Sequence, residues 1–360
     1  MARFPLAPGS TIGIMGGGQL GRMLALAAAR LGFDAAILTP EEDAPASRVA
    51  AHTIHAPYDD GPGLEALARI SDVITFEFEN VPAAAVERLV DLGAEVAPSA
   101  RALAIAQDRL EEKRFLNAAG APTVAFAQVD NDDDLARALK QFGAPLLLKT
   151  RHGGYDGKGQ AWVMRPAEAQ DALAVIGRRP AIAEAPADFR RELAIIAARG
   201  RGGEIALYPL TESHHENGVL RRTSAPIVAS PRATAEAERI AATILTGLSY
   251  VGVVGVELFE RDDGALLVNE FAPRVHNTGH WTLDGCEVDQ FEQHIRAISG
   301  WPLGPTAARA HVEMTNLLGD EAAGWPRLIR EPESRVWLYG KRHARPGRKM
   351  GHVNRLRKLD

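Results

Sequence analysis

The chain has 360 residues, a formal net charge of −5, 46% hydrophobic residues and 24% charged ones, which fits a globular protein of two or three domains of ~100–150 residues each. No apolar run approaches the ~18 residues needed to span a bilayer, "MARFPLAPGS" has no apolar signal core, and Cys286 is the single cysteine. A membrane span, secretion and a disulfide framework are therefore not expected, and a reducing cytoplasm is. The negative balance argues against general nucleic-acid affinity, but residues 330–360 hold ten Lys/Arg against three Asp/Glu, which leaves either a local anion site or a solvated basic tail.

In chain order, "TIGIM" reads as a strand, 20–31 as a helix, "AAILT" as a strand, 44–51 as a helix and "HTIHA" as a strand. A helix over 64–70, the strand "DVITFEF" and a helix over 83–92 follow. This alternation predicts a doubly wound sheet with ligands at the C-terminal ends of its strands. Gly16, Gly18 and Gly21 have the spacing of a dinucleotide turn. The second strand, however, ends "LTPEED", with Thr39 and Pro40 where a ribose-binding carboxylate belongs. An NAD- or FAD-dependent oxidoreductase is thus the weaker reading, and the turn is left for a phosphorylated or sugar-bearing ligand.

Residues 101–119 read as one helical stretch ending in "GAP", and "DNDDD" as a solvated helix start. On that stretch, Arg109 and Lys113 have a bland alternative, a solvated helix face. The strands "APLLLKT" and "AWVM" flank the loop "RHGGYDGKGQ". Gly153, Gly154, Gly157 and Gly159 leave backbone N–H groups open to phosphate oxygens, and Lys149 and Lys158 add charge. The spacing is not that of a P-loop, so a flap closing over a triphosphate is expected. A helix over 166–177 leads to "PAIAEA", and from about residue 186 a β-rich pattern runs through "RRELAIIAARG", "EIALYPL" and a helix over 233–245.

The hairpin "GVVGVELFERDDGALLVNEFAP" is the most informative segment. A turn centred between Asp263 and Gly264 sets Glu257 opposite Glu270 on one face, with Cβ atoms roughly 4.5–5.5 Å apart. Like charges there need compensation, and the apolar flanks argue against open solvent. A divalent cation is expected, of the magnesium type that takes one or two carboxylates plus substrate phosphates.

Seven segments in order, "GGGQLGRM", "TFEFENVP", "QDR", "GGYDGKGQ", "YVGVVGVELF", "NEFAPRVHNTGHWT" and "RPGRKMGH", resemble the ATP-grasp superfamily from Thr11 to about Val353. Within it they resemble the branch that carboxylates a purine-pathway ribonucleotide. The resemblance implies an α/β fold, α+β in its ATP-grasp part. A Rossmann-like pre-ATP-grasp domain would occupy 1–108, a small lid 109–185, and a larger C-terminal domain with a basic ribotide-phosphate segment 186–360. It implies a cytoplasmic homodimeric ligase with ATP and Mg2+ as cofactors and no nucleic-acid or membrane partner. Such a ligase would convert 5-aminoimidazole ribonucleotide and bicarbonate into the N5-carboxylated ribonucleotide, ADP and phosphate through carboxyphosphate.

Carried over by motif, Arg109, Lys149 and the loop Gly154, Tyr155, Asp156, Gly157, Lys158, Gly159 and Gln160 match nucleotide-phosphate positions. Glu184, Ala185, Pro186 and Ala187 match the hinge that reads adenine, Glu192 the ribose carboxylate, and His215 another nucleotide contact. Glu257 and Glu270 match the metal ligands, with Asn269 beside them. Tyr155, Asp156, Arg274, His276 and Lys341 match substrate and bicarbonate positions, and Lys341 with Arg348 the grip on the ribotide phosphate. Gln19, Leu20 and Glu77 match ribotide contacts, so the glycine turn is expected to face the ribose-phosphate side of the substrate.

Arg274 and His276, two apart in an extended segment, point to one side with Glu270, where a guanidinium could hold bicarbonate or stabilise carboxyphosphate. His276 as a structural histidine, and Lys158 as a mere salt-bridge partner of Asp156, stay open. Two departures stand out: Ala272 replaces the Asn that many ATP-grasp enzymes have two residues after the second glutamate, and the chain stops at "NRLRKLD" where relatives usually add a helix. A formate-dependent glycinamide ribonucleotide transformylase and a biotin carboxylase-like enzyme are the near alternatives.

Overall fold

The computed structural model describes residues 4–154 and 158–359. Four parallel strands open the chain, β1 (Thr11–Met15), β2 (Asp34–Thr39), β3 (His52–His55) and β4 (Val73–Phe76), in the order β3-β2-β1-β4. β1, β2 and β4 are buried almost throughout, as expected of a parallel sheet covered by helices. The helix expected over 44–51 is only a 3-10 turn at Ser47–Val49. Pro45 contributes no donor, and the Ala46 N–H bonds Gly17 O instead of an earlier helical carbonyl. The single helical stretch expected over 101–119 is two helices, Ala100–Gln107 and Arg109–Ala118. Asp108 breaks it with extended backbone and caps the second helix by accepting from Leu110 N–H at 3.0 Å.

A second sheet is antiparallel, with β5 (Phe126–Val129), β6 (Leu146–Thr150), β7 (Gln160–Val163) and β8 (Ala181–Glu184) in the order β5-β8-β6-β7. Leu146, Leu148, Val163, Ala181 and Ala183 face the helices Asp132–Phe142 and Ala169–Val175 in a core of their own. Strand alternation puts Leu147, Lys149, Gln160 and Glu184 on the opposite face. The helix expected over 166–177 starts as a 3-10 turn and is helical only over Ala169–Val175.

The third sheet has nine strands: β9 (Arg191–Arg199), β10 (Ile205–Leu207), β11 (Thr211–Glu216), β12 (Val219–Ala225), β13 (Gly252–Glu260), β14 (Leu266–Ala272), β15 (His311–Leu318), β16 (Ser334–Leu338) and β17 (Lys349–Arg357). Their order is β14-β13-β9-β11-β12-β15-β17-β16, with β10 beside β9. Leu193, Ile195 and Ala197 of β9 pack toward the helix Pro231–Gly247. Ile196 and Ala198 pack toward the helix Gln290–Ser299. Burial on both faces explains why "LAIIAA" is apolar without alternation. The core beneath Gln290–Ser299 is shared with the first sheet: Ile12, Ile14 and Leu24 belong to the same cluster as Phe291 and Ile295. The basic C-terminal segment is not a solvated tail, because β17 pairs with β15 on one side and β16 on the other. No helix among the described residues is long and apolar enough to cross a membrane.

Candidate active site

The β13–β14 hairpin places Glu257 opposite Glu270, as expected, but by two offsetting departures. The turn is a three-residue loop, 262–264, not one centred between Asp263 and Gly264: Arg261 and Ala265 are bonded, and Gly264 takes the left-handed φ of +78° that a side chain would resist. Near the turn, Glu260 therefore faces Leu266 and Leu258 faces Val268. Asn269 then bulges out of the ladder, and the slip brings the two glutamates into register. Burial, reinforced by the Glu270 charge, pushes the Glu257 carboxyl up to about 7.

Both glutamates line a cavity of about 690 Å³ walled by the second and third sheets and, from the first, by Gln19 and Leu20 of the helix after β1 and residues 77–80 after β4. Arg274 lines it as well, its Nε paired with Glu79 and its Nη1 donating to Val275 O at 3.0 Å. Burial pushes the Glu79 carboxyl upward, but the Arg274 guanidinium outweighs it and holds it at about 2. His276 lies in the same wall, with Nε2 3.7 Å from Glu257 and Nδ1 2.8 Å from Thr278 Oγ1. The Gln290 amide clamps its backbone, accepting from His276 N–H at 2.9 Å and donating to His276 O at 2.7 Å. Burial and the Arg274 cation hold the imidazole well below its usual range, so it is neutral at pH 7.

Arg109 reaches Gly154 O at 3.0 Å and Glu270 at 3.8 Å. Arg109, Lys149, Gly154, Gln160, Glu192, His215, Asn269 and Glu270 all line the cavity. His215 pairs with Glu192, which together with Glu257 raises its pKa against the opposing effect of burial. Gly159, next to Lys158 on the loop, accepts from Thr150 N–H at 2.9 Å. Tyr155, Asp156 and Gly157 lie outside the described residues. Glu184 ends β8 with its carboxylate buried behind the cavity wall, and Ala185, Pro186 and Ala187 continue from it without lining the cavity.

The glycine turn holds an anion of the protein's own. Glu77 accepts from Gly18 N–H and, at 2.5 Å, from Gly21 N–H, capping a helix whose N-cap has no side chain to do so. Gly16 has a φ of +120°, and a Cβ there would collide with the Glu77 side chain. A phosphate is therefore not received at these amides; a buried carboxylate in their place is suited to hydroxyl groups. Gln19, Leu20 and Glu77 do line the cavity. Lys341 donates to Lys349 O at 2.8 Å and Arg348 to His343 O at 2.9 Å, so both cations are folded back onto their own turn. They stand close enough that Arg348 lowers, and Glu77 raises, the Lys341 pKa.

Three features on or behind these walls, Glu112, Glu79 and the turn Asn217-Gly218, are not among the residues expected from the sequence, and Lys113 is placed differently from its solvated-face alternative. Glu112 accepts from Phe271 N–H at 2.7 Å, and burial together with Glu270 pushes its carboxyl up to about 8. Lys113, read as a candidate for a solvated helix face, is buried. Spacings of three and four from Arg109 put Glu112 and Lys113 on its face of the helix, a signal that was available. Glu79 follows Glu77 by two residues in the turn after β4, and both line the cavity. The hairpin turn Asn217-Gly218 is equally legible, and its Gly218 lines the cavity.

A glycine loop on an antiparallel lid, facing a carboxylate pair on a larger antiparallel sheet, is the arrangement of an ATP-grasp ligase. Comparison with known families agrees: residues 114–291 match the ATP-grasp domain, 10–107 the ribonucleotide synthetase preATP-grasp domain, and 313–359 the phosphoribosylaminoimidazole carboxylase C-terminal domain. A Brucella melitensis protein named N5-carboxyaminoimidazole ribonucleotide synthase is 49% identical over 360 residues, covering 99% of each chain. The N5-carboxyaminoimidazole ribonucleotide synthetase structure from Thermus thermophilus superposes with a TM-score of 0.91 at 44% identity, covering 96% of this chain and 93% of that one. An Aspergillus clavatus N5-carboxyaminoimidazole synthase in complex with ADP and 5-aminoimidazole ribonucleotide gives a TM-score of 0.91 at 30% identity, covering 98% and 94%. This chain belongs to the N5-carboxyaminoimidazole ribonucleotide synthase family.

Proposed function

We propose that the chain carboxylates the exocyclic amine of 5-aminoimidazole ribonucleotide with bicarbonate and ATP, giving N5-carboxyaminoimidazole ribonucleotide, ADP and phosphate in purine biosynthesis. The observation that carries this reading is the continuous cavity wall running from Lys149 and Arg109 through Glu270 and Arg274 to Glu77 and Gln19. Nucleotide phosphate, a small oxyanion and a ribose would lie along it in that order.

In the reaction, a bicarbonate oxygen attacks the γ-phosphorus, ADP leaves, and the amine then takes the carboxyl carbon of carboxyphosphate with release of phosphate. Arg274, fixed by Glu79, holds the planar anion beside the phosphates. Neutral His276 serves as a hydrogen-bonding partner and not as a charge. Glu257 and Glu270 fit a magnesium ion: they pair across the hairpin, both line the cavity, and burial together with the Glu270 charge raises the Glu257 carboxyl, a cost that a bound cation would relieve. Among the described residues no group of three or more His, Cys, Asp or Glu forms a closed metal cage, which suits an ion completed by phosphate and water. When bound, the ion would neutralise polyphosphate charge. At the other end, Lys341 and Arg348 would grip the ribotide phosphate and Glu77 the ribose hydroxyls.

ADP release that requires both bicarbonate and 5-aminoimidazole ribonucleotide tests the proposal. Release with formate and glycinamide ribonucleotide instead would favour the transformylase. A pH dependence follows as well. Burial and the neighbouring Arg348 push Lys341 down to about 8, so the free enzyme carries this cation below that pH and loses it above. Accordingly kcat/KM for the ribotide falls as pH rises through about 8, while Lys341→Arg, which keeps its proton, removes that limb.

A further inference from the structure

We propose that Lys113 is a positioning residue: by sharing the Glu184 carboxylate it leaves the charge of Lys149 available to nucleotide phosphate. This role rests on the ATP-binding reading of the cavity and adds to it a residue that touches neither solvent nor cavity. Lys113 Nζ lies 3.0 Å from Glu184 Oε1, and Lys149 Nζ lies 2.6 Å from Oε2 of the same carboxylate. The three side chains are 2%, 11% and 5% exposed for Lys113, Lys149 and Glu184, so water screens none of them well. Of the three, only Lys149 lines the cavity.

The charge count decides what the cluster does. Two ammonium groups on one carboxylate leave a net positive charge, displayed by the one cation that faces the cavity. If Lys113 were neutral, Glu184 would be left with Lys149 alone, and the pair would present a dipole to the phosphates in place of a charge. Burial raises the Glu184 carboxyl, yet the Lys113 and Lys149 cations outweigh it and hold it at about 2, so it stays an anion. Lys113 also donates to Asn269 O at 2.8 Å, the residue bulged out of β14 beside Glu270. One ammonium thus joins the helix Arg109–Ala118 to the lid and to the glutamate hairpin. A buried lysine that only filled space would be replaceable by methionine, which has similar length and no charge.

That replacement is the test, read by calorimetric binding of MgADP and of adenosine to the full chain. Lys113→Met is expected to weaken MgADP binding by about tenfold or more while adenosine affinity stays within about threefold. Adding Glu184→Gln removes the carboxylate that captures Lys149 and leaves the hinge backbone at 184–187 in place, so Lys113→Met/Glu184→Gln should recover most of the MgADP affinity that Lys113→Met loses. Unchanged MgADP binding in Lys113→Met overturns the proposal, as does parallel loss of adenosine binding, the mark of a structural defect. A double variant no better than the single one overturns it too. Should Lys113→Met not fold, the double variant decides alone, and weak MgADP binding by it counts against the role. Wild-type protein that binds no nucleotide would instead overturn the proposed function and this role with it.

Discussion

Arg274→Ala lowers turnover by roughly 10²–10³-fold, the range for losing a preorganised oxyanion donor, while MgADP affinity changes by less than about threefold. Arg274 contributes to the wall between Glu270 and Glu79 and not to the lid, so its loss should be felt by the reacting anion and not by adenine or ribose. Its pairing with Glu79 fixes the guanidinium before substrate arrives. Arg274→Lys, which supplies a cation without the planar fork, should therefore recover little. Steady-state kinetics for bicarbonate, set beside calorimetry with MgADP, measures both quantities. Equal loss of turnover and of MgADP binding would place Arg274 at the nucleotide and remove it from the carboxylation step.

Glu257→Gln and Glu270→Gln should each abolish most turnover, by about 10²-fold or more, through loss of magnesium-dependent ATP binding. A titration of magnesium against ATP affinity reads this directly, and magnesium-independent binding in the wild type would contradict it. The same pair has a signature in metal-free protein. The folded-state pKa of Glu257 is raised from its ordinary value of 4.5 to about 7, so between those pH values the folded chain holds a proton that the unfolded chain has released. Stability without magnesium therefore falls as pH rises through that window. Glu257→Gln should reduce the slope of Tm against pH without abolishing it, because Glu112 is shifted in the same direction.

Strand and helix periodicity made the doubly wound first sheet and the β13–β14 hairpin legible, since both depend on local pattern and turn chemistry. The register of that hairpin was reached without its bulge, because Asn269 carries no signal that separates it from an ordinary strand residue. The helix expected over 44–51 failed for the opposite reason: local alanines suggested a helix, while the Gly17 carbonyl 29 residues earlier claimed the Ala46 donor. Glu77 filling the glycine turn and Lys113 lying buried against Glu184 both depend on partners 56 to 71 residues away, which composition does not encode. β17 was hidden by its charge. Composition around Arg355 leaves a local anion site and a solvated tail equally open, and only pairing with β15 and β16 shows that the strand is closed in on both sides.

The first and third sheets draw on one hydrophobic cluster, and Arg30 of the first pairs with Asp289 and Glu292 of the third, whereas the lid keeps a cluster of its own. Opening for nucleotide exchange can then be confined to the lid, because parting the other two would expose a common apolar seam. The ribotide end and the glutamate hairpin form a fixed anvil, and each catalytic cycle has to reset only the small jaw that closes on it.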